Sequence, residues 1–122
     1  MSARQGFYAR WRGTEYEASP DGARVRLYLP GPAEGFTAVT PERHVRVVPA
    51  AEVERLSYIS TMCTWRGEDF IVLGEHDGWL RIEYVGGKAP VAERLGLEMF
   101  DRGVYQAWAP RAEVEGIRED AS

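Results

Sequence analysis

The chain has 122 residues, of which 44% are hydrophobic and 28% charged, and its formal net charge is −4. These values are typical of one globular domain or two very small ones, and the negative charge disfavours a general role in nucleic-acid binding. The single cysteine, Cys63, excludes an internal disulfide bond and a zinc site built from several cysteines.

The first half of the chain predicts a series of short strands. Residues 7–11 and 15–18 alternate in polarity around Gly13, which predicts a hairpin. Asp21-Gly22 predicts a second tight hairpin, because this dipeptide readily adopts the positive φ angles of a type I′ turn. Residues 30–35 hold two prolines and two glycines and predict a loop, after which residues 44–48 alternate as a further strand.

The second half predicts the same elements with one addition. A hairpin around Asp77-Gly78 joins the predicted strands 69–73 and 79–85. Residues 89–96 predict one or two helical turns, because a proline stands near the start and a glycine at the end. Residues 104–108 predict the next strand, and a short turn then leads to a last strand.

These shared elements indicate an internal duplication. The motifs recur in the same order, with small differences in turn length. The matched pairs are Trp11-Arg12-Gly13 with Trp65-Arg66-Gly67, Glu15-Tyr16 with Asp69-Phe70, Asp21-Gly22 with Asp77-Gly78, Val25-Arg26-Leu27 with Leu80-Arg81-Ile82, and Ala51-Glu52-Val53-Glu54 with Ala112-Glu113-Val114-Glu115. We therefore expect one repeat in residues 1–56 and a second in residues 57–122, with no flexible linker between them.

Several of these motifs give the chain a family resemblance. They are Trp11-Arg12-Gly13 with Tyr16-Glu17-Ala18, Asp21-Gly22 followed by Val25-Arg26-Leu27-Tyr28, and a proline before a valine at Pro49–Val53 and Pro110–Val114. In these motifs the chain resembles the SH3-like and Tudor-like families of small β-barrels. The resemblance implies an all-β, mainly antiparallel fold: two tandem SH3-like barrels packed together, with one short helix in the second. The acidic-aromatic ligand signature of signalling SH3 domains is not evident, so polyproline binding is not implied.

The residues with reactive side chains predict no catalytic or metal site. Cys63 lies in a strand pattern with no signature for a neighbouring base, which favours a buried core thiol. His44 is expected on the polar face of its strand, as a structural or surface residue. His76 stands between Glu75 and Asp77, but successive strand residues face opposite sides of a sheet, so we predict no metal site there.

Two further patterns favour structural interpretations. Glu68-Asp69, Glu75 and Asp77 are candidates for acid–base work, but similar acids occupy the first repeat's turns, which favours solvated turn residues. Gly86-Gly87-Lys88 lacks the upstream glycine and the following hydroxyl residue of a phosphate-binding loop. We therefore predict no enzyme activity and no cofactor.

The tryptophan after the second Asp-Gly turn is the best candidate for a binding anchor. Trp79 is expected to be partly exposed, and exposed aromatics among polar groups are typical of interfaces. Residues 57–122 hold 7 Arg and Lys against 12 Asp and Glu, a net charge of −5, whereas residues 1–56 hold 8 against 7, a net charge of +1. We predict a binding face on the second repeat formed by Trp79, Glu75, Asp77, Tyr84 and Lys88.

These features favour a non-enzymatic protein-binding module with a basic protein partner, such as an immunity-type protein that neutralises a toxin. The alternative is a module that binds single-stranded nucleic acid by stacking, with Arg10, Arg12, Arg24 and Arg26 of the first repeat at its face. No apolar run approaches the roughly 20 residues of a membrane span, and residues 1–12 lack the apolar segment of a signal peptide. We therefore expect a cytoplasmic protein with no membrane partner.

Overall fold

The computed structural model describes residues 3–122, and strands dominate this range. The strands are β1 (Gln5–Trp11), β2 (Thr14–Asp21), β3 (Arg24–Leu29), β4 (Thr37–Thr40), β5 (Arg43–Pro49), β6 (Arg55–Trp65), β7 (Glu68–His76), β8 (Trp79–Tyr84), β9 (Glu98–Asp101), β10 (Val104–Pro110) and β11 (Glu115–Ala121). One α-helix, α1 (Ala89–Arg94), and two 3₁₀ turns, Ala50–Glu52 and Arg111–Glu113, complete the elements. The all-β, mainly antiparallel class is confirmed.

The chain divides into two compact units, whose bounds differ from those of the predicted repeats by a few residues at each end. The first unit comprises Gly6–Ile59 with Ala121–Ser122, and the second comprises Ser60–Asp120 with the segment up to Gln5. Strand β6 runs through the division: Arg55–Ile59 belong to the first unit and Ser60–Trp65 to the second. The sequence boundary between residues 56 and 57 falls within this same strand.

The two units share one strand order, as a duplication requires. Hydrogen-bonded neighbours run β1-β2-β3-β5-β4 in the first unit and β6-β7-β8-β10-β9 in the second, where β11 also pairs with β6. The register agrees as well: β3 pairs with β5 from Arg24 opposite Pro49, and β8 pairs with β10 from Trp79 opposite Pro110. The residues of β3 and β5 therefore have definite counterparts in β8 and β10.

Each Trp-Arg-Gly motif forms the turn of the first hairpin in its unit. The arginine adopts a positive φ, 49° at Arg12 and 50° at Arg66, and the following glycine is also left-handed. This conformation is unfavourable for a residue with a Cβ atom. The guanidinium lies over the ring of the preceding tryptophan, 4.3 Å from the centroid of Trp11 and 4.1 Å from that of Trp65, and this cation–π contact offsets part of the cost.

Each unit has its own apolar core. The first contains Ala9, Trp11, Ala18, Val25, Leu27 and Val48, and the second contains Cys63, Trp65, Phe70, Val72, Leu80, Ile82, Tyr84, Ala92, Ala109 and Val114. Phe70 is central to the second core, since its ring centroid lies 5.7 Å from that of Trp65 and 5.8 Å from that of Tyr84.

The short helix forms where the sequence predicts it. Pro90 occupies the first turn of α1, where its missing N–H leaves no intrahelical bond unmade. Gly96 follows the helix with a φ of 70° and donates its N–H to the Glu93 carbonyl. Val91 and Leu95 pack against the second core, so the helix covers one part of that core.

The predicted closed barrels are not found among residues 3–122. Strands β4 and β9 each have a single hydrogen-bonded neighbour, β5 and β10 respectively, and end their series as edge strands. Both have four residues and all of them are exposed. Because neither strand buries an apolar side chain, closing the sheet through it would gain little hydrophobic free energy.

Strand β5 is oriented opposite to its sequence prediction. His44 is buried, and its register opposite Leu29, with Val48 opposite Val25, puts it on the core side. Val47 instead faces outward and is 50% exposed. The polarity of β5 alone suggested the reverse, but the pairing with β3 sets which side faces the core, since a register shift of one residue exchanges the two faces.

The start of β6 contributes contacts to the first unit. Glu54 donates its N–H to the Arg10 carbonyl, Tyr58 packs edge-on against Phe7 at 5.0 Å, and Ile59 is buried. A fragment ending at Val53 loses all three contacts, and we expect it to be poorly folded because so small a unit has little apolar burial to spare. Far-UV circular dichroism and urea titration test this; a cooperative transition of fragment 1–53 would contradict it.

The second core gives a stability prediction with an internal control. Phe70→Ala removes a fully buried ring, and we expect it to lower the free energy of unfolding by about 3–5 kcal/mol. Phe100 is 66% exposed, and Phe100→Ala should change the free energy of unfolding by less than about 0.5 kcal/mol. Chemical denaturation of both variants measures the difference; equal losses would contradict this description of the core.

Candidate binding groove

A groove of about 430 Å³ opens on the second unit. It is formed by residues of β8 and β10, the end of β6, the start of β9, the glycine after α1 and the second 3₁₀ turn. The side chains used below are Trp65, Trp79, Arg81, Gln106, Trp108 and Glu113, all of which line it. A concave site with aromatic walls and a few fixed polar groups is the usual form of a binding pocket.

Two half-exposed tryptophans dominate the groove. Trp79 is 46% exposed and Trp108 is 49% exposed. Trp79 pairs with Pro110, and Trp108 pairs with Arg81 on the same side of the sheet, opposite to the side that buries the core. The Arg81 guanidinium lies 5.5 Å from the centroid of the Trp108 ring. Both indoles therefore remain available for contact with a ligand.

A polar network holds the groove's central arginine. Arg81 Nε donates to Gln106 Oε1 at 3.0 Å, and its Nη2 donates to Glu98 Oε2 at 3.3 Å. Gln106 is itself buried and donates from Nε2 to Glu83 Oε1 at 3.0 Å. Glu98 therefore balances the charge of Arg81, and Gln106 connects this arginine to Glu83, so that the buried amide of Gln106 is satisfied.

The inner wall is built on the first tryptophan of the repeat. Trp65 Nε1 donates to Glu113 Oε1 at 3.2 Å, which ties the end of β6 to the second 3₁₀ turn. Arg66 lies on the same ring and donates from Nη1 to the Leu95 carbonyl oxygen at 3.2 Å. These bonds fix the indole and leave its ring as part of the groove wall.

The structure brings only one of the five predicted binding residues into the groove. Trp79 lines it, whereas Tyr84 is buried in the core, contrary to the prediction. Glu75 pairs with Leu80 and so lies on the side of the sheet opposite to Trp79. Asp77 is at the exposed turn, where its carboxylate lies 3.3 Å from His76 Nε2. Lys88 directly precedes α1 and is exposed away from the lining residues.

The remaining lining residues could not be assigned to a site from sequence. Trp108 belongs to the strand pattern 104–108, but its place beside Arg81 depends on the pairing of β10 with β8 across more than twenty residues. A local motif cannot specify such a pairing. The tyrosine was misassigned for a similar reason, since its place in the core follows from the pairing of Tyr84 with Phe70 on β7.

Reactive and metal-binding groups do not converge elsewhere in the described range. Residues 3–122 contain no cluster of three His, Cys, Asp or Glu side chains suited to a metal ion. Cys63 is fully buried, and this burial raises the pKa of its thiol above the ordinary value.

The fold and groove define an all-β protein with a candidate ligand-binding surface. Residues 3–122 match the family described as uncharacterised conserved protein UCP033725, and the chain belongs to this family. No curated protein and no solved structure matches the chain. Within residues 3–122, no helix has both the length and the apolar character needed to cross a membrane.

The state of Cys63 gives a prediction for its reactivity. Because the thiol is buried and its pKa is raised, we expect no reaction of the native protein with Ellman's reagent at pH 8, and one equivalent of thiol after unfolding. The raised pKa also means that the folded state holds this proton more tightly. Its contribution to stability is present below the ordinary thiol pKa and is lost as pH rises through the folded value.

A matched Cys63→Ala variant isolates the contribution of the thiol to the pH dependence of stability. Unfolding followed between pH 7 and 10 should show a smaller fall in stability at alkaline pH for Cys63→Ala than for the wild type. Rapid labelling of the native wild-type thiol would contradict its buried placement.

Proposed function

We propose that the chain is a non-enzymatic, cytoplasmic protein-binding module whose groove holds a partner with a basic surface. The observation that supports this best is the pair of half-exposed indoles, Trp79 and Trp108, in one groove beside the carboxylate of Glu98. Tryptophan is among the residues most enriched at the energetic centres of protein interfaces. Neighbouring carboxylates favour a cationic partner and speed its encounter.

The chemistry of the groove favours arginine or lysine side chains as the groups bound. An indole face attracts a cation, and Glu98 and Glu113 lie on the same groove. Both guanidinium groups of the lining already have partners, since Arg81 is bonded to Gln106 and Glu98 and Arg66 is bonded to the Leu95 carbonyl oxygen. Residues 57–122 hold 7 Arg and Lys against 12 Asp and Glu, and this net charge of −5 also favours a cationic partner.

A role as an immunity-type protein is the specific form of this proposal. A small acidic chain suits the neutralisation of a basic toxin, an argument by analogy of class. The proposed resemblance to Tudor-like modules is compatible with it, because aromatic cages in such modules need converging rings, and Trp79 and Trp108 line one groove.

Binding of single-stranded nucleic acid is the alternative, and the first unit supports it less well. Stacking of bases needs exposed aromatic rings beside basic groups. The first unit has Arg24 and Val47 at the positions of Trp79 and Trp108. Two of its four candidate arginines are also ion-paired, Arg10 with Glu54 at 3.6 Å and Arg26 with Asp21 at 3.0 Å.

The test compares groove variants with a control from the first unit. Immobilised wild-type protein is incubated with nuclease-treated lysate of the source cell, and retained proteins are identified by mass spectrometry. We expect a basic protein to be retained and then to bind Trp79→Ala and Trp108→Ala more weakly by about 2 kcal/mol each, or roughly 30-fold in Kd. Val47→Ala, at the exposed counterpart of Trp108, should leave the Kd unchanged.

Folding and specificity are controlled in the same experiment. Thermal melts of Trp79→Ala should remain close to the wild type, because a half-exposed ring contributes little to the core. Retention of nucleic acid in a sample without nuclease, unaffected by either tryptophan variant, would favour the alternative. A protein partner that binds both groove variants and the wild type equally would contradict the proposed groove.

A further inference from the structure

The first unit contains a buried hydrogen-bond donor with no acceptor. Trp11 is only 4% exposed, and its Nε1 has no hydrogen-bond partner among residues 3–122. A buried donor left without an acceptor costs free energy, and such groups in folded proteins usually have an identifiable reason. The ring itself is well placed in the core beside Tyr16, with 6.3 Å between the ring centroids.

The second unit shows what an acceptor at this position looks like. There the counterpart of Trp11 is Trp65, whose Nε1 donates to the carboxylate of Glu113. The counterpart of Glu113 in the aligned acidic segments is Glu52, which is exposed and accepts no bond from Trp11. The indole N–H at this position therefore donates to a carboxylate of the chain in the second unit, and in the first unit it has no acceptor among residues 3–122.

Two arginines stand over the unpartnered indole. The guanidinium carbons of Arg12 and Arg46 lie 4.3 Å and 4.6 Å from the centroid of the Trp11 ring. Within residues 3–122 no carboxylate forms an ion pair with either arginine, whereas Arg10 and Arg26 of the same unit each have one. Two positive charges therefore lie close to the ring whose N–H lacks an acceptor, and no carboxylate of the described range is paired with either.

The arginine from β5 is a specific feature of the first unit. Its counterpart in the second unit is Ala107, in the same register opposite the core residue of the preceding strand. Arg46 also lies against Gly35, where an added Cβ atom would collide with the guanidinium. The glycine therefore leaves room for this arginine on the core side of the sheet.

We propose that Trp11, Arg12 and Arg46 form a binding site for a carboxylate of a protein partner, either an Asp or Glu side chain or a chain terminus. Guanidinium groups bind carboxylates through paired charge-assisted hydrogen bonds. The indole N–H supplies one further donor, as it does to the carboxylate in the second unit. The site belongs to the first unit and does not depend on the groove proposed above.

The indole N–H signals of ¹⁵N-labelled full-length protein test this site. Sodium acetate at pH 7 and constant ionic strength is the probe, with sodium chloride as the reference and sodium phosphate as the competing anion. We expect a saturable shift of the Trp11 signal with acetate, a Kd at least fivefold weaker in Arg46→Ala and Arg12→Ala, and no change in Arg66→Ala. The signal is assigned with Trp11→Phe, or with Phe variants of the other three tryptophans if that protein does not fold.

Four outcomes would overturn the proposal, the last of them in a competition with peptides. The first is the absence of a saturable Trp11 shift with acetate, and the second is a shift with phosphate alone. The third is a difference between the Trp11 signals of Glu52→Gln and the wild type in the absence of acetate. Such a difference would mean that Glu52 is the acceptor of the indole N–H. Two peptides distinguish the carboxylate sources: one with an internal glutamate and an amidated end, and one with a free end and no acidic side chain. Displacement of acetate by either supports the proposal, and failure of both overturns it.

Discussion

The tight turn that follows each core tryptophan is the constraint on which the rest of each unit depends. Arg12 and Arg66 adopt left-handed backbone conformations, and the resulting turns fix the pairing of the first two strands in each unit. The same geometry lays each guanidinium over the ring before it. The tryptophan ring is therefore packed from the core side and covered by its own turn, and its N–H has an acceptor in the second unit but none in the described part of the first.

The two units diverge through a few substitutions at equivalent positions of one sheet. On the outer side Trp108 replaces Val47, and on the core side Ala107 replaces Arg46. The first change adds a second indole to a groove, and the second removes a cation from the neighbourhood of the core tryptophan. Adjacent strand residues face opposite sides of a sheet. The differences at these two adjacent positions therefore affect two separate surfaces of the unit. One fold thus presents an aromatic groove in one copy and an arginine-covered indole in the other.

The candidate site was predictable only where a local motif controls exposure. Trp79 follows a type I′ turn, so its position at a strand start and its exposure follow from the Asp-Gly dipeptide. Glu75 and Tyr84 were predicted to join that tryptophan in a binding face because they are close to it in sequence. Closeness in sequence does not put side chains on the same side of a sheet. His44 was misplaced for a related reason, since the polarity of its strand did not indicate which side meets the core.

The sequence alone determined the all-β class, the tight turns at the Asp-Gly dipeptides and the position of the short helix. These features depend on φ preferences at Gly, Pro and Asp-Gly positions and on short-range alternation, which neighbouring residues specify. The tertiary structure decided which side chains of β5 and β10 face the core, the open edges at β4 and β9, and the placement of Trp79 and Trp108 in one groove. Those features depend on pairing between segments far apart in the chain, where a shift of one residue reverses every side chain and only the burial of the whole core selects the register.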